Sequence, residues 1–341
     1  MAAASDLVPR SAGAKSGDSG ADVRRIQAYL TKFGYLASDI PAQFGTEDTL
    51  AVPAPTKSGQ FDENTEQALT NFQERYGLEP SGVLDKATLD LMNTPRCGFP
   101  DTAEFVLQGN KWGTTNLRYG FVNFSADLTQ AQTRDACQTA LSYWSAVTPL
   151  TFTETAAATN PEIRISFVSG DHGDGSPFDG AGSVLAHAYY PPPNGGDIAG
   201  DAHFDEAEGW SVNLPATGID LYTVGAHEFG HSLGLAHSAV GAALMYPYYG
   251  GPHRHLDADD ISGIQALYGA QQSVYVTLDR IYATPHSANA WAHVPGFGWR
   301  KVKATTADGV VNTFAALASA RAANQPVSVQ ITATEIELTY V

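Results

Sequence analysis

The run from Thr223 to Ser238, TVGAHEFGHSLGLAHS, constrains this chain more than any other stretch, because it holds three histidines and a glutamate at fixed spacings. A helix over its first part places His227 and His231 one turn apart on the same face. Two imidazoles at that spacing reach a single metal ion, and Glu228 between them sits beside the ion without ligating it. Continuing the helix cannot bring His237 to the same ion. Gly234 can end it, because glycine tolerates the left-handed conformation that bends the chain back. His237 then supplies a third ligand and leaves one tetrahedral position for water, as a catalytic zinc requires.

A lone histidine on a helix is more often packed or solvated than a ligand, and HExxH by itself is moderate evidence. The extended pattern HExxHxxGxxH followed by a methionine is far more specific. His227, Glu228, His231, Gly234 and His237 fill that pattern, and Met245 of ALMYP follows where a tight turn would floor the metal. The stretch therefore resembles the metzincin signature of zinc peptidases.

At 341 residues the chain is too long for one ordinary core, so two or three domains are expected. No apolar run is long enough to span a membrane. A formal charge of −17 argues against nucleic acid as a partner, and carboxylates clustered near the histidines hint at calcium. Cys97 and Cys137 could pair, but one such bond says little about compartment. Cys137 lies in TQAQTRDACQTALSYWSAV, on the apolar side of an amphipathic helix with Leu141 and Trp144, and is read as a free, inert core residue. Residues 1–20 are small and polar and are expected to be disordered. No signal peptide is visible there, and LVPRS looks like an engineered protease site, so the segment is set aside.

Residues 21–104 read as a small helical domain. Val23, Ile26, Leu30 and Phe33 form one stripe; Ala68, Leu69, Phe72 and Tyr76 form a second; Leu89 and Met92 mark a third helix. The pattern resembles the peptidoglycan-binding-like domain that also forms the propeptide of matrix metalloproteinases. It ends in PRCGFPD, where Cys97 could be an ordinary loop cysteine or, beside a downstream zinc, a thiolate that takes the open position and silences the enzyme. PRCGFPD resembles the cysteine switch of matrixin zymogens, with Phe99 where valine is usual. The resemblance gives Arg96 a salt bridge within the propeptide loop.

Residues 105–270 alternate strands (NLRYGFVNF, LTFTET, EIRISFVSG, SVLAHAYYP) with helices, an α/β arrangement. From KWGTTNLRYGFVNF to ISGIQALYG the chain resembles a matrixin catalytic domain with a mixed twisted sheet. Residues 271–341 read as a small α+β module, with strands VYVTLDRIYAT and WRKVKATT, a helix over DGVVNTFAALASARAAN and two closing strands. That module is too short for a hemopexin domain. Its NAWAHVPGFGW is either a binding surface or core, core being the simpler reading.

His172, Asp174, His187 and His203 make a closed set of three imidazoles and a carboxylate, the kind a structural zinc takes. The resemblance assigns them that role. It assigns Asp179, Asp205 and Glu208 to a calcium site and Asp201 to a second, less secure one, since Ala207 replaces a frequent acid and NGGDIAGD is longer than usual. Two zinc ions and one to three calcium ions are thus implied. Leu185 and Ala186 on the edge strand would bond an extended substrate. Thr223 and Tyr249 would wall the specificity pocket, and a small Thr223 favours leucine-like or larger side chains.

The implied reaction is peptide-bond hydrolysis, with Glu228 moving the proton between water and leaving amine. The resemblance also implies activation by another protease near Glu104–Phe105, freeing an ammonium for Asp259, although Asp259 and Asp260 also suit the start of the last helix. A secreted, monomeric enzyme acting on protein or peptide is the expectation. The rivals are a peptidoglycan-binding protein or cell-wall peptidase, and a non-catalytic binder stabilised by metal.

Overall fold

The stripe of Val23, Ile26, Leu30 and Phe33 becomes one buried face in the computed structural model, which describes residues 7–37, 51–101, 111–193, 196–214, 217–283, 290–296, 298–302, 309–331 and 335–340. The expected cleavage point at Glu104–Phe105 lies outside the described residues. The first three of the four sit on α1 (Ala21–Lys32), and Phe33 caps its end. In α2 (Glu63–Arg75), Ala68, Leu69 and Phe72 face the same core, and α3 (Lys86–Met92) adds Met92. Acidic caps start both later helices: Asp62 accepts from the backbone N–H of Thr65 at 3.0 Å, and Asp85 from that of Thr88 at 2.8 Å.

Residues 7–20 depart from expectation. Leu7 and Val8 pack on the helical core, and the segment is pinned by Gly13 N–H to the Leu84 carbonyl (2.7 Å) and Gly17 N–H to that of Phe61 (2.9 Å). Composition read the stretch as disordered because its apolar residues are few and small, but Leu7, Val8 and Ala14 have a surface to bury against.

The chain divides into two compact units, Met1–Trp144 with Phe152–Leu267, and Ser145–Thr151 with Tyr268–Val341. The segments expected as separate helical and catalytic domains share the first unit. One core runs through both, since Phe178, Val184 and Tyr248 join the α1–α3 cluster.

The first unit is built on a six-stranded mixed sheet. Its strands are β1 (Arg96–Cys97), β2 (Asn116–Phe121), β3 (Thr151–Glu154), β4 (Ile163–Val168), β5 (Val184–Ala188) and β6 (Ala202–Asp205), in the order β1-β5-β6-β4-β2-β3. β2, β4 and β6 run parallel, while β5 is antiparallel to β6. A short parallel pair, β7 (Trp210–Ser211) and β8 (Ile219–Asp220), precedes α5 (Leu221–Ser232). On α4 (Gln130–Ser145) the buried positions Thr133, Ala136, Cys137, Ala140, Leu141 and Trp144 follow helical periodicity, and the Trp144 indole N–H donates to the Ala226 carbonyl at 3.0 Å. Cys137 is a free, buried thiol, and burial pushes its pKa up. α6 (Ala258–Tyr268) closes the unit.

The second unit holds the sheet order β10-β11-β12-β14-β13-β9, formed by β9 (Gln272–Val276), β10 (Arg280–Ala283), β11 (Ala290–Val294), β12 (Gly298–Val302), β13 (Val327–Ile331) and β14 (Glu335–Tyr340), with α7 (Gly309–Ala322) beside it. The run VYVTLDRIYAT, read as one strand, breaks in two because β9 pairs with β13 and β10 with β11, at opposite edges of the sheet. NAWAHVPGFGW supplies the antiparallel pair β11–β12, with Ala290, Ala292 and Val294 in the core and Trp299 exposed. Among the described residues no helix is long and apolar enough to cross a membrane.

Asp62 holds α2 through four contacts, to the N–H and hydroxyl groups of Thr65 and Thr56. Asp62→Ala should cost about 1 kcal/mol. Thermal unfolding of the full chain should show the lowered midpoint.

Candidate metal centres and the cleft beside them

α5 is capped at its start by Asp220, whose carboxylate accepts from Thr223 N–H at 3.1 Å. From Thr223 to Ser232 every residue is buried, so the helix runs through the core rather than along a surface. It stops at Gly234, whose φ of 105° suits glycine alone. Leu235 N–H reaches back to the Gly230 carbonyl at 2.9 Å, a left-handed C-terminal cap that turns the chain toward His237.

Each of the three histidines then has one ring nitrogen spoken for. Nδ1 of His227 faces the Leu244 carbonyl at 2.8 Å, and Nδ1 of His231 the Leu235 carbonyl at 2.7 Å. Nδ1 of His237 faces the Asp101 carboxylate at 2.9 Å. A carbonyl or carboxylate only accepts, so each Nδ1 carries the proton and each Nε2 presents a lone pair. Those Nε2 atoms converge: His227 and His231 are 3.2 Å apart there, and Nε2 of His237 is buried without a hydrogen-bond partner. Burial holds His227 at about 3 and His237 at about 4, and pushes His231 well below the usual range, so all three are neutral. Three inward lone pairs with outward-tied Nδ1–H groups fit a metal ion, each ring oriented by its second bond.

Cys97 completes the group. Its Sγ lies 3.5 Å from Nε2 of His231, and the four ligand atoms all fall within 4.8 Å of one another. Burial and the nearby Glu228 carboxylate push the thiol well above its ordinary pKa, so an ionised sulfur here requires a cation beside it. Glu228 is fully buried beside the Cys97 thiol, and burial raises it to about 8. Beneath the histidines lies Met245, so close to α5 that a side chain on Gly230 would meet its sulfur at 2.3 Å.

Cys97 is delivered by a strand. β1 pairs in parallel with β5, Cys97 opposite Ala186, and Gly98 N–H donates to the Ala186 carbonyl at 2.7 Å. On its other side Cys97 N–H reaches the Pro247 carbonyl at 2.9 Å, and Tyr249 N–H the Pro95 carbonyl at 2.8 Å. Residues 95–98 thus fill the slot between β5, which carries Leu185 and Ala186, and the chain after Met245. Phe99 stacks on the His231 ring with centroids 4.2 Å apart. The buried Arg96 guanidinium lies 3.5 Å from the Phe33 ring centroid and pairs with Asp101. A cavity of about 460 Å³ adjoins the histidines, lined among others by Thr223, His227, Tyr249 and His253. The Thr223 hydroxyl is engaged, donating to Asp220 at 2.7 Å and accepting His253 N–H at 2.7 Å; the Tyr249 hydroxyl accepts Asp220 N–H at 2.9 Å.

His172, Asp174, His187 and His203 meet at a second centre, again with ligand atoms within 4.8 Å. One Asp174 oxygen lies 2.6 Å from His172 Nε2, 2.8 Å from His187 Nε2 and 2.9 Å from His203 Nδ1. The Tyr189 hydroxyl donates to the same oxygen at 2.8 Å. Burial alone would raise the Asp174 carboxyl, but the three histidines hold it far below the usual range. Three imidazoles and one carboxylate at this spacing fit a closed tetrahedral ion.

Residues 111–269 match the matrixin family, and residues 19–92 match the family described as "Putative peptidoglycan binding domain". The chain is 45% identical over 255 residues to interstitial collagenase of Equus caballus, covering 74% of this chain and 50% of that protein. It is 41% identical over 258 residues to stromelysin-1 of Mus musculus, covering 74% of this chain and 50% of that protein. It is 42% identical over 252 residues to the hatching enzyme of Paracentrotus lividus, covering 73% of this chain and 39% of that protein. The chain belongs to the matrixin family. It spans half or less of the length of these relatives.

The carboxylates expected around calcium sit differently in this matrixin. Asp179, Asp205 and Glu208 face one turn, accepting from Val184 N–H (3.2 Å), Gly180 N–H (3.2 Å) and Gly182 N–H (2.7 Å) respectively. The second Asp179 oxygen is buried without a hydrogen-bond partner. Burial, reinforced by Asp205 and Asp179, lifts Glu208 to about 7. Asp201 stands apart, 3.8 Å from Arg164 and raised by burial to about 6. Asp259 accepts from the Ser238 hydroxyl at 2.6 Å.

Two residues escaped the sequence reading. Asp101 bridges Arg96 and His237, and its place within PRCGFPD was the only signal available. Asp260, read only as helix-start material, accepts from Leu244, Met245 and Asp257 N–H at 2.8, 2.9 and 2.8 Å, and so sets the turn that supports His227.

Asp260→Ala strands three backbone donors, each worth roughly 1–3 kcal/mol when buried and unpaired. The variant should melt markedly earlier and retain less zinc by metal analysis than the parent chain. Glu208 supplies a pH signature. Its folded pKa of about 7 exceeds the ordinary 4.5, so in cation-free protein its contribution to stability is lost as pH rises through that window. Melting temperatures from pH 4.5 to 7 should fall, and Glu208→Gln should flatten that fall.

Proposed function

We propose that this matrixin is a secreted zinc endopeptidase held latent by Cys97. The observation that carries the proposal is the convergence of three Nε2 lone pairs and one thiol beside a buried glutamate. His227, His231 and His237 would hold the catalytic zinc, with Cys97 as fourth ligand in the latent form. Zinc bound there supplies Lewis-acid polarisation of the scissile carbonyl and acidifies a water to a pKa of about 7. Glu228, raised by burial into the range where it can both take and give a proton, accepts one from the attacking water and delivers it to the leaving amine.

An extended substrate would add to β5 where residues 95–98 lie in the latent chain, bonding the backbone at Leu185 and Ala186. Its first side chain after the scissile bond enters the cavity beside His227, where the small Thr223 leaves room for leucine or larger groups. His172, Asp174, His187 and His203 take a structural zinc. Asp179, Asp205 and Glu208 take calcium, which offsets three carboxylates gathered at one turn. Proteolysis near Glu104–Phe105 removes the thiol and frees an ammonium for Asp259. The names of the relatives, interstitial collagenase and hatching enzyme, favour protein substrates outside the cell.

The decisive comparison uses a quenched peptide with leucine after the scissile bond. A form starting at Phe105 should cleave it, the full chain should not, and a zinc chelator should abolish cleavage. Equal activity of both forms would remove the latch. Glu228→Gln in the short form should keep its zinc and lose turnover by about 10²–10⁴-fold; a loss below tenfold would take the proton-transfer role from Glu228.

A further inference from the structure

The segment between the pocket wall and α6 carries a third set of metal-ligand side chains, apart from the two centres described above. PHRHLDADD places His253, His255 and Asp257 at alternate positions, and their ligand atoms lie within 4.8 Å of one another. His253 Nε2 is 2.9 Å from Asp257 Oδ2, and His255 Nε2 is 3.9 Å from the same oxygen. Ligands around a tetrahedral zinc stand about 3.3–3.5 Å apart, given bonds of about 2.0–2.1 Å. The two observed separations straddle that value.

His253 and Asp257 are close enough to pair, but their geometry is not that of a hydrogen bond. His253 Nε2 and Asp257 Oδ2 are both buried, and neither has a hydrogen-bond partner despite their proximity. A ring nitrogen and a carboxylate oxygen this close, with no hydrogen bond between them, stand as two ligands of one cation would. The imidazoles of His253 and His255 stack with centroids 4.2 Å apart, and the His255 side chain is 68% exposed, so its ring reorients toward an ion at little cost. Two imidazoles and one carboxylate select zinc, copper or nickel over calcium, which prefers a shell of oxygens.

We propose that His253, His255 and Asp257 form a further transition-metal site, solvent-accessible and exchangeable, on the segment that walls the cavity beside His227. The site stands on its own residues and does not require the peptidase reading. Its consequence for the pocket does rest on that reading. His253 lines the cavity and its N–H bonds the Thr223 hydroxyl, while Asp257 N–H bonds Asp260. An ion held between them ties the pocket wall to the turn beneath the histidines and reduces its freedom to open for large side chains.

The test is equilibrium dialysis of the full chain against zinc with calcium in excess, followed by metal analysis and thermal unfolding. The parent chain should hold one zinc more than His253→Ala/His255→Ala, with calcium unable to displace it. The single variant His255→Ala, at an exposed position, should weaken that extra zinc at least tenfold while leaving the metal-free melting temperature unchanged. Equal zinc content in the parent and both variants would overturn the site, as would an extra zinc that survives both substitutions. Neither outcome depends on whether the chain cleaves peptides.

Discussion

The protonation state of three imidazoles organises the first unit of this protein. Each Nδ1–H donates a hydrogen bond to an acceptor held by a different piece of chain, and that fixes each Nε2 as a lone pair aimed at one point. The Leu244 carbonyl comes from the turn that Asp260 shapes; the Leu235 carbonyl comes from the cap that Gly234 makes possible; the Asp101 carboxylate comes from the segment carrying Cys97. Three elements distant in sequence must be in register before the ligand set exists. A metal bound there couples the energies of all three, because the ion rewards only the folded arrangement.

The Cys97 segment meets that centre through several independent contacts. It is a strand in the slot beside β5, a ring stacked on His231, a thiol at the ligand cluster and, through Asp101, an acceptor for His237. Arg96 anchors it from behind, its charge spread over Phe33 and the Tyr29 and Tyr248 hydroxyls as well as Asp101. The usual valine at position 99 could not stack on an imidazole, so Phe99 makes the cover over His231 more extensive in this chain. Removing the sulfur alone leaves the strand, the stack and the buried ion pair in place.

The sequence was most legible where chemistry is local. HExxHxxGxxH needs only helix geometry and one glycine, and both centres of histidines assemble from the residues quoted for them. The stripes of α1 and α2 were equally plain, since every buried position follows the helical period. What escaped depends on partners far along the chain. β6 was not among the expected strands, because Ala202–Asp205 is short and becomes a strand only where β4 and β5 flank it. Asp101 and Asp260 are carboxylates whose roles are defined only by the histidine and the turn they reach. Leu7 and Val8 looked like part of a polar tail until the helical core gave them somewhere to pack.

Charge bears on why a chain of net −17 would suit cations at several points. Glu228, Glu208 and Asp201 are all raised above their ordinary values, first by burial, which means each is held where its ionised form is costly. Arg164 partly offsets Asp201, but Asp205 and Asp179 make Glu208 worse rather than better. Of the three, Asp201 alone has a basic side chain among the causes of its shift, so Glu228 and Glu208 are left to be offset by other charge. On the proposed reading, bound cations would supply that charge, and their loss would leave like-signed groups crowded in low dielectric. The same logic reaches the wall of the cavity, where Asp257 has two imidazoles for neighbours instead of a lysine or arginine. On that reading the acidic balance of the sequence is matched to multivalent cations at defined positions inside the first unit, and the stability of that unit would follow their supply.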